Sequence, residues 1–426
     1  MHLCGIDIGT TSISAVVIDQ KSGRLIKRKT VNSEAFIPSP YPFEKIQDAD
    51  KLITLAVGIL DELLTDEVAS IGVTGQMHGI VYLDAEGEAV SPLYTWQDKR
   101  GDEPYLDTTY AKHLGSFSGY GNVSDFYNKQ NGIRPKEAVT YATVQDYLVM
   151  KLCSSKLPLL HTTNAASLGL FDAQTLSFSY DYAPRITADC TVAGYYRGIP
   201  VSVAIGDNQA SVLSTLSEED ALLLNFGTGS QISLVSDRPL YGGGIESRPY
   251  FENRYLIVGS ALCGGRAYSM LCDFYYGLLK EHTTLSRDDV YAIMDRQLAQ
   301  NGESSLTVDT RFAGTRENPE QTGAILGINT QNLTPAALTR GVLVGMVEEL
   351  YGMYQKMACQ RSIGIASGNG IRKNAHLRSI AEERFGMSIR IPTHLEEAAY
   401  GAALFGACAA ECFASISEAQ TLIHFQ

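Results

Sequence analysis

The sequence predicts an α/β protein built as two related halves, and three observations carry that reading. Strand-period segments closed by Gly-Thr turns open both halves, at Leu3–Ile18 and Ala221–Val235. A helical-period stretch, Leu52 to Leu64, leads straight into the apolar strand Val68–Val73. A chain of 426 residues is too long for one compact core and suits two domains.

The first segment runs Leu3-Cys4-Gly5-Ile6-Asp7-Ile8, turns at Gly9-Thr10-Thr11, returns over Ile13–Ile18 and turns again at Lys21-Ser22-Gly23 into Leu25-Ile26, which reads as an antiparallel meander. Leu52, Leu55, Ala56, Ile59, Leu60, Leu63 and Leu64 mark one helix face. The strand Val68–Val73 delivers Thr74-Gly75-Gln76-Met77-His78-Gly79 as a loop. Val201–Ile205 is a further strand, leading into Gly206-Asp207-Asn208-Gln209. A second meander takes Leu222–Phe226, the turn Gly227-Thr228-Gly229-Ser230, Gln231–Val235 and Tyr255–Gly259. The two Gly-Thr turns lie 218 residues apart (227 − 9), near half the chain, so a duplication is one reading and two unrelated hairpins the other. Helices then dominate: Gly265–Leu279; a long helix from the cap Thr334-Pro335 to about Ala358; Asn374–Phe385, stopped by Gly386; and Glu396–Ala410. Ser217-Glu218-Glu219-Asp220 reads as an interdomain connection or a surface turn.

Composition narrows the function. Thirty-four basic against 47 acidic residues give a net charge of −13, so no nucleic acid and no membrane surface is expected as a partner held by bulk charge. The longest apolar run, Gly401–Ala410, is too short for a bilayer span. The start, Met1-His2-Leu3-Cys4, lacks a basic region followed by an apolar one, so the expected location is cytoplasmic. Eight cysteines without a CxxC pair read as reduced core residues, with no metal bound through sulfur.

The residues that can carry chemistry are few. The common nucleotide, zinc-hydrolase and serine-hydrolase signatures are missing. The tips Gly9-Thr10-Thr11 and Gly227-Thr228-Gly229 can present amides and hydroxyls to phosphate oxygens, because a nest of N–H groups is an anion site without a lysine; each is also readable as a plain turn. Asp7, beside the first tip, can hold Mg²⁺ through water. Asp207, at a strand-to-helix junction, is either a helix cap or a general base that orients a hydroxyl. Gln76 and His78 offer polar contacts to sugar hydroxyls, and Trp96, the single tryptophan, is either core or an apolar wall for a sugar. Ser367-Gly368-Asn369-Gly370 precedes a helix and lets a ligand approach the backbone, or only caps it. The polar loop Thr310–Gly327, with Gly314, is unusually long for a connection without a role.

Taken together these motifs resemble the FGGY carbohydrate kinases, of the actin-like ATPase superfold, over nearly the whole chain. Gly5-Ile6-Asp7-Ile8-Gly9-Thr10-Thr11-Ser12 resembles that family's first phosphate motif, Asn225-Phe226-Gly227-Thr228-Gly229-Ser230 its second, and Ala366–Gly370 with Glu397–Ala403 its adenosine region. The resemblance implies an α/β fold of two ribonuclease-H-like (actin-like ATPase) domains, 1–213 and 214–426, with an interdomain ATP/sugar cleft. It implies Asp207 as catalytic base, Mg²⁺ at Asp7, and sugar contacts from Gln76, Met77, His78, Trp96 and Asp98. Gly9, Thr10, Thr11, Gly227, Thr228, Gly229, Gly314, Gly368, Asn369 and Asn374 fall to ATP. Thr95–Asp98, Gln145–Val149, Asn164–Ser167 and Gly206–Ser211 resemble the sedoheptulokinase branch, which implies phosphorylation of a ketose at its terminal primary hydroxyl, sedoheptulose first and D-xylulose as the alternative. Asn208, where an apolar residue is expected, departs from the pattern. The remaining alternative is a catalytically idle actin-like protein that binds sugar or nucleotide, against which the presence of both Asp7 and Asp207 counts. A homodimer is left open.

Overall fold

The computed structural model describes residues 1–180, 182–300 and 306–426. These divide into two compact units: 1–217 with 248–255 and 394–424, and 218–247 with 256–393 and 425–426. The cut between 217 and 218 falls inside the Ser217–Asp220 run. The sequence had suggested a single boundary at 213/214, and two later segments return to the first unit instead.

In the first unit, β1 (His2–Ile8), β2 (Ser12–Asp19) and β3 (Leu25–Asn32) form the expected meander, followed by α1 (Ala49–Leu63) and β4 (Val68–Gly75). Asp48 starts α1 by accepting from Lys51 N at 2.9 Å. Helix α2 (Val144–Cys153), the short helix α3 (Thr162–Ser167), β5 (Val192–Tyr196), β6 (Ile199–Ser202), β7 (Ile205–Gly206) and α4 (Asp207–Leu213) follow. The sheet order is β5-β6-β4-β1-β2-β3, with β7 also on β4. Strands β1, β4 and β7 are mutually parallel neighbours through β4. A central parallel strand is covered on both faces, which explains why β4 is buried almost throughout, Ser70 and Thr74 included. One face packs Ile6, Ile8 and Val73 with Leu52 and Leu60 of α1 and Leu148 of α2.

The second unit repeats the plan. Its strands β8 (Ala221–Phe226), β9 (Ser230–Ser236) and β10 (Tyr255–Ala261) precede α5 (Gly265–Leu279), α6 (Arg287–Gln300) and α7 (Pro335–Met357). Then come β11 (Ile363–Ser367), α8 (Ala375–Phe385) and β12 (Ile389–Arg390). The order β10-β9-β8-β11-β12 matches β3-β2-β1-β4-β6, with the strand Ile245–Pro249 added outside β10, and β11 is parallel to β8 as β4 is to β1. Asp7 and Asn225 therefore occupy equivalent strand ends, each two residues before a Gly-Thr tip.

The last long helix, α9 (Glu397–Ala409), crosses back to the first sheet. A Cβ on Gly5 would stand 1.9 Å from Ala399 O, one on Gly72 1.7 Å from Ala402 O, and one on Gly401 1.8 Å from Ala210 O. Glycine is required there because α9 touches the sheet, at Gly5 and Gly72, and helix α4, at Gly401, backbone to backbone. This corrects the reading of Glu397–Ala403 as part of an adenosine region: the stretch is small and apolar in order to lie on β1 and β4. Among the described residues no helix is long and apolar enough to cross a membrane.

Candidate active site

Two carboxylates mark one end of the first sheet. Asp7 is in register with Thr74 of β4, and Thr74 with Ile205 of β7. One step on, Ile8 pairs with Gly75 and Gly75 with Gly206, so Asp207, next in the chain, emerges at the same edge as Asp7. Neighbouring strands lie about 4.8 Å apart, which puts the two backbones roughly 10 Å from each other. Burial pushes the Asp7 carboxyl up to about 8, and the charges of Asp207 and then Glu396 add to it. Burial likewise raises Asp207 to about 6, opposed by the Asn208 backbone N–H and the Arg248 guanidinium. Asp7 Oδ1 is enclosed without a hydrogen-bond partner among the described residues. An orphaned carboxylate oxygen beside a second acid fits a hydrated Mg²⁺, which needs few protein ligands. Among the described residues no cluster of three metal-ligating side chains exists, as that hydrated mode of binding allows.

The loop after β4 and the first hairpin tip are tied together. Gln76 Nε2 donates to Gln47 Oε1 at 2.8 Å, Gln47 Nε2 to Thr10 O at 2.7 Å, and Trp96 Nε1 to Thr10 Oγ1 at 2.9 Å. Gln76 is 3% exposed whereas Trp96 is 45% exposed, so the indole is reachable from solvent while Gln76 braces the loop from within. His78 has a left-handed backbone, φ 77°, uncommon for a non-glycine residue. Ser167 of α3 holds it there, with His78 N donating to Ser167 Oγ at 3.1 Å and Nδ1 lying 2.7 Å from Ser167 O. A carbonyl only accepts, so Nδ1 carries the proton. The ring stacks on Tyr120 at 4.3 Å. Met77 is buried, with its thioether beside Gly206.

Asp98 leaves the expected sugar-contacting set. It is fully enclosed, accepting from Arg100 Nε at 2.7 Å, Arg100 Nη2 at 3.1 Å and Lys45 N at 3.0 Å. Its part is to fix the loop that carries Trp96.

In the second unit, a cavity of about 910 Å³ is lined by Gly227 and Thr228 of the second tip, by Gly368, Asn369 and Asn374, and by residues of α5, α6 and α7. Gly368 has φ 88°, and a Cβ there would meet Phe226 O at 2.6 Å. The Tyr268 and Tyr291 rings, both on the wall, stack at 5.8 Å, and Leu343 and Met346 add apolar surface. Arg266 and Lys373 supply positive charge to the same space. Apolar walls with a few convergent polar groups suit a nucleotide. Asn374 also caps α8, accepting from Leu377 N at 2.9 Å. Gly229 and Gly314 do not line this cavity. Gly314, φ 71°, turns the loop between the short strands Thr307–Asp309 and Ala324–Leu326, with Pro319 O 2.4 Å from its would-be Cβ.

Sequence reasoning missed Gln47, Ser167, Glu396 and Arg248, each distant in the chain from the motif it serves. Of these, Glu396 carried a signal as the first residue of a recognised helix, and Ser167 as the end of the stretch Asn164–Ser167; Gln47 and Arg248 carried none.

Residues 2–107 match the model of the FGGY family of carbohydrate kinases, N-terminal domain. Sedoheptulokinases of Mus musculus and Homo sapiens are 29% and 28% identical, each aligned over 94% of this chain and 96% of its own length. The crystal structure of xylulose kinase from Rhodospirillum rubrum superposes with a TM-score of 0.84 at 17% identity, over 100% of this chain and 93% of that one. With the matched strand plan these likenesses agree: residues 2–107 match the N-terminal domain of the FGGY carbohydrate kinases, and the chain is a sugar kinase similar to that family.

Proposed function

We propose that the protein transfers the γ-phosphoryl group of ATP to the terminal primary hydroxyl of a ketose, sedoheptulose, giving sedoheptulose 7-phosphate. The observation that carries this reading is Asp207 at the end of β7, at the same sheet edge as Asp7 and close to the loop Gly75–Gly79. The sedoheptulokinase likeness supports the seven-carbon substrate.

Phosphoryl transfer asks little covalent work of a protein, so positioning and charge neutralisation dominate. Asp207 orients the terminal hydroxyl and accepts its proton late, as the new P–O bond forms. Burial makes its carboxylate a better base than a free aspartate. Trp96 packs against the carbon chain, and His78, with Gln76 bracing the loop, meets the sugar hydroxyls. Asp7 holds Mg²⁺ through its unpartnered oxygen; when bound, that ion neutralises charge on the nucleotide's phosphates. The amides of Gly9, Thr10 and Thr11 offer a nest for phosphate oxygens at the first tip; in the cavity of the second unit those of Gly227 and Thr228 do the same, and Gly368, Asn369 and Asn374 hold the nucleoside. Asp98 and Gly314 have no direct part.

The test is ADP release over a panel of five-, six- and seven-carbon ketoses, with and without Mg²⁺. Highest kcat/KM with sedoheptulose supports the proposal. Highest kcat/KM with D-xylulose favours the xylulokinase reading, which the likeness to the R. rubrum enzyme motivates. No turnover with any ketose overturns both.

A further inference from the structure

The three residues ahead of Asp207 are each pinned by a buried side chain. Asn164 Nδ2 donates to Ala204 O at 3.1 Å, Thr74 Oγ1 donates to Ile205 O at 2.8 Å, and Gly206 N donates to Thr163 Oγ1 at 3.1 Å. Thr163 and Asn164 stand on α3, the same short helix whose Ser167 holds His78. Asn164 is itself fixed, its Oδ1 accepting from Gln145 Nε2 at 3.0 Å. Thr74, Gln145, Thr163 and Asn164 are all fully enclosed. Gly206 needs such support: it is the N-cap of α4, and without a side chain it sets neither its own conformation nor the direction in which Asp207 leaves the strand.

The Thr163 hydroxyl has one proton, and His161 decides where it points. The ring Nε2 lies 3.3 Å from Ala188 O, and a carbonyl only accepts, so Nε2 carries the imidazole proton. Burial lowers the ring's value to about 4, so it is neutral and Nδ1 is bare. Nδ1 accepts from Thr163 N at 3.2 Å and from Thr163 Oγ1 at 2.9 Å. With its proton committed to the ring, the Thr163 oxygen turns its lone pairs to the Gly206 amide. The bonds therefore run one way, from Gly206 N–H to Thr163 Oγ1, from the Thr163 hydroxyl to His161 Nδ1, and from Nε2–H to Ala188 O. The chain begins one residue before Asp207.

We propose that Thr163, set by His161, is a positioning residue for Asp207, holding the strand end so that the carboxylate meets the sugar's terminal hydroxyl in the geometry that transfer needs. Thr163 is enclosed and acts only through Asp207. No proton travels along its chain to the sugar, because the hydroxyl proton goes to the Asp207 carboxylate. A misplacement of about 1 Å costs on the order of 10²-fold in rate, so a small loss of hold is visible in kcat. The inference rests on the kinase reading above.

The experiment is a double-mutant cycle on the full chain, using the ketose the wild type turns over best. Thr163→Val keeps the shape and removes the hydroxyl; kcat is expected to fall by about 10- to 10²-fold, with KM for ketose and for ATP within about threefold of wild type. Thr163→Ser keeps the hydroxyl and should return kcat to within about threefold of wild type. In an Asp207→Asn background no base remains to be aimed, so Thr163→Val should change kcat by less than about threefold there. A role confined to folding lowers the rate equally in both backgrounds, so equal losses overturn the assignment, as does a kcat within about threefold of wild type in Thr163→Val alone. Should Thr163→Val fail to fold by circular dichroism, Thr163→Ala, which removes the same acceptor with less bulk, decides by the same cycle. A wild type inactive on every ketose, or an Asp207→Asn with wild-type kcat, overturns the kinase reading and this inference with it. An active wild type that needs Asp207 but loses equally in both backgrounds overturns only the role of Thr163.

Discussion

Asp7 and Asp207 stand at one end of one sheet with β4 between them, and the charge on Asp207 helps hold the Asp7 carboxyl up near 8. Two acids in one field ask for a cation, and an alcohol placed between such groups is both oriented and relieved of its proton. Replacing Asp207 with Asn keeps the shape and removes the base. The expected result is a fall in kcat of about 10²-fold or more, with ATP still binding by calorimetry. Retained turnover would discard Asp207 as the base.

Asp7 is assigned to the metal, so its variant should fail differently. In Asp7→Asn the apparent Mg²⁺ requirement should rise by about tenfold or more, measured as the concentration giving half-maximal rate, because a neutral amide is a poorer ligand than a carboxylate for a hard cation. An unchanged Mg²⁺ dependence counts against the assignment.

A buried acid away from the chemistry sets a pH dependence of stability. Asp146 is enclosed, with Thr143 Oγ1 donating to it at 2.6 Å, and burial raises its carboxyl to about 8. The folded state therefore holds a proton that the unfolded state has released, and the Asp146 contribution is lost as pH rises towards 8. His161 runs the other way: burial lowers it to about 4, so its contribution is complete above its ordinary value of 6.5 and is lost in acid. Urea unfolding between pH 6.5 and 8 should show wild-type stability falling relative to Asp146→Asn, by at most about 1.4 kcal/mol per pH unit. A flat or rising difference would sink this account.

The seating of α9 predicts a contrast between two glycines. Gly72→Ala drives a methyl against the Ala402 carbonyl, where backbone faces backbone and neither side yields, so a loss of roughly 3 kcal/mol or more is expected. Gly58, inside α1, has nothing within 4 Å of its would-be Cβ, and Gly58→Ala should stabilise by about 0.5–1 kcal/mol. Equal midpoints for the two variants would contradict the packing.

Wherever a neighbour a few residues away decides the outcome, the sequence was readable. The Thr334 cap, Pro335 at the first turn of α7, the Gly386 stop and the hairpin tips all depend on contacts within four residues or on a strand's period of two. Asp207 was readable for the same reason, as an acid at a strand-to-helix junction. Asp98 was misread because its fate hangs on a side-chain direction: nothing in Trp96-Gln97-Asp98-Lys99-Arg100 says that the guanidinium folds back and takes both carboxylate oxygens.

Local order, the two hairpins and the residue types at each tip came from the chain alone, since hydrogen bonding along a strand or helix is fixed by near neighbours; that the two sheets share one strand order was decided by the tertiary structure. Tertiary structure decided that α9 lies on the first sheet, that Gln47 joins Thr10 to Gln76, and that Arg248 returns to Asp207's side. Those contacts unite residues 29 to more than 300 positions apart. Burial and backbone-to-backbone fit choose such partners, and neither leaves a periodic trace in sequence.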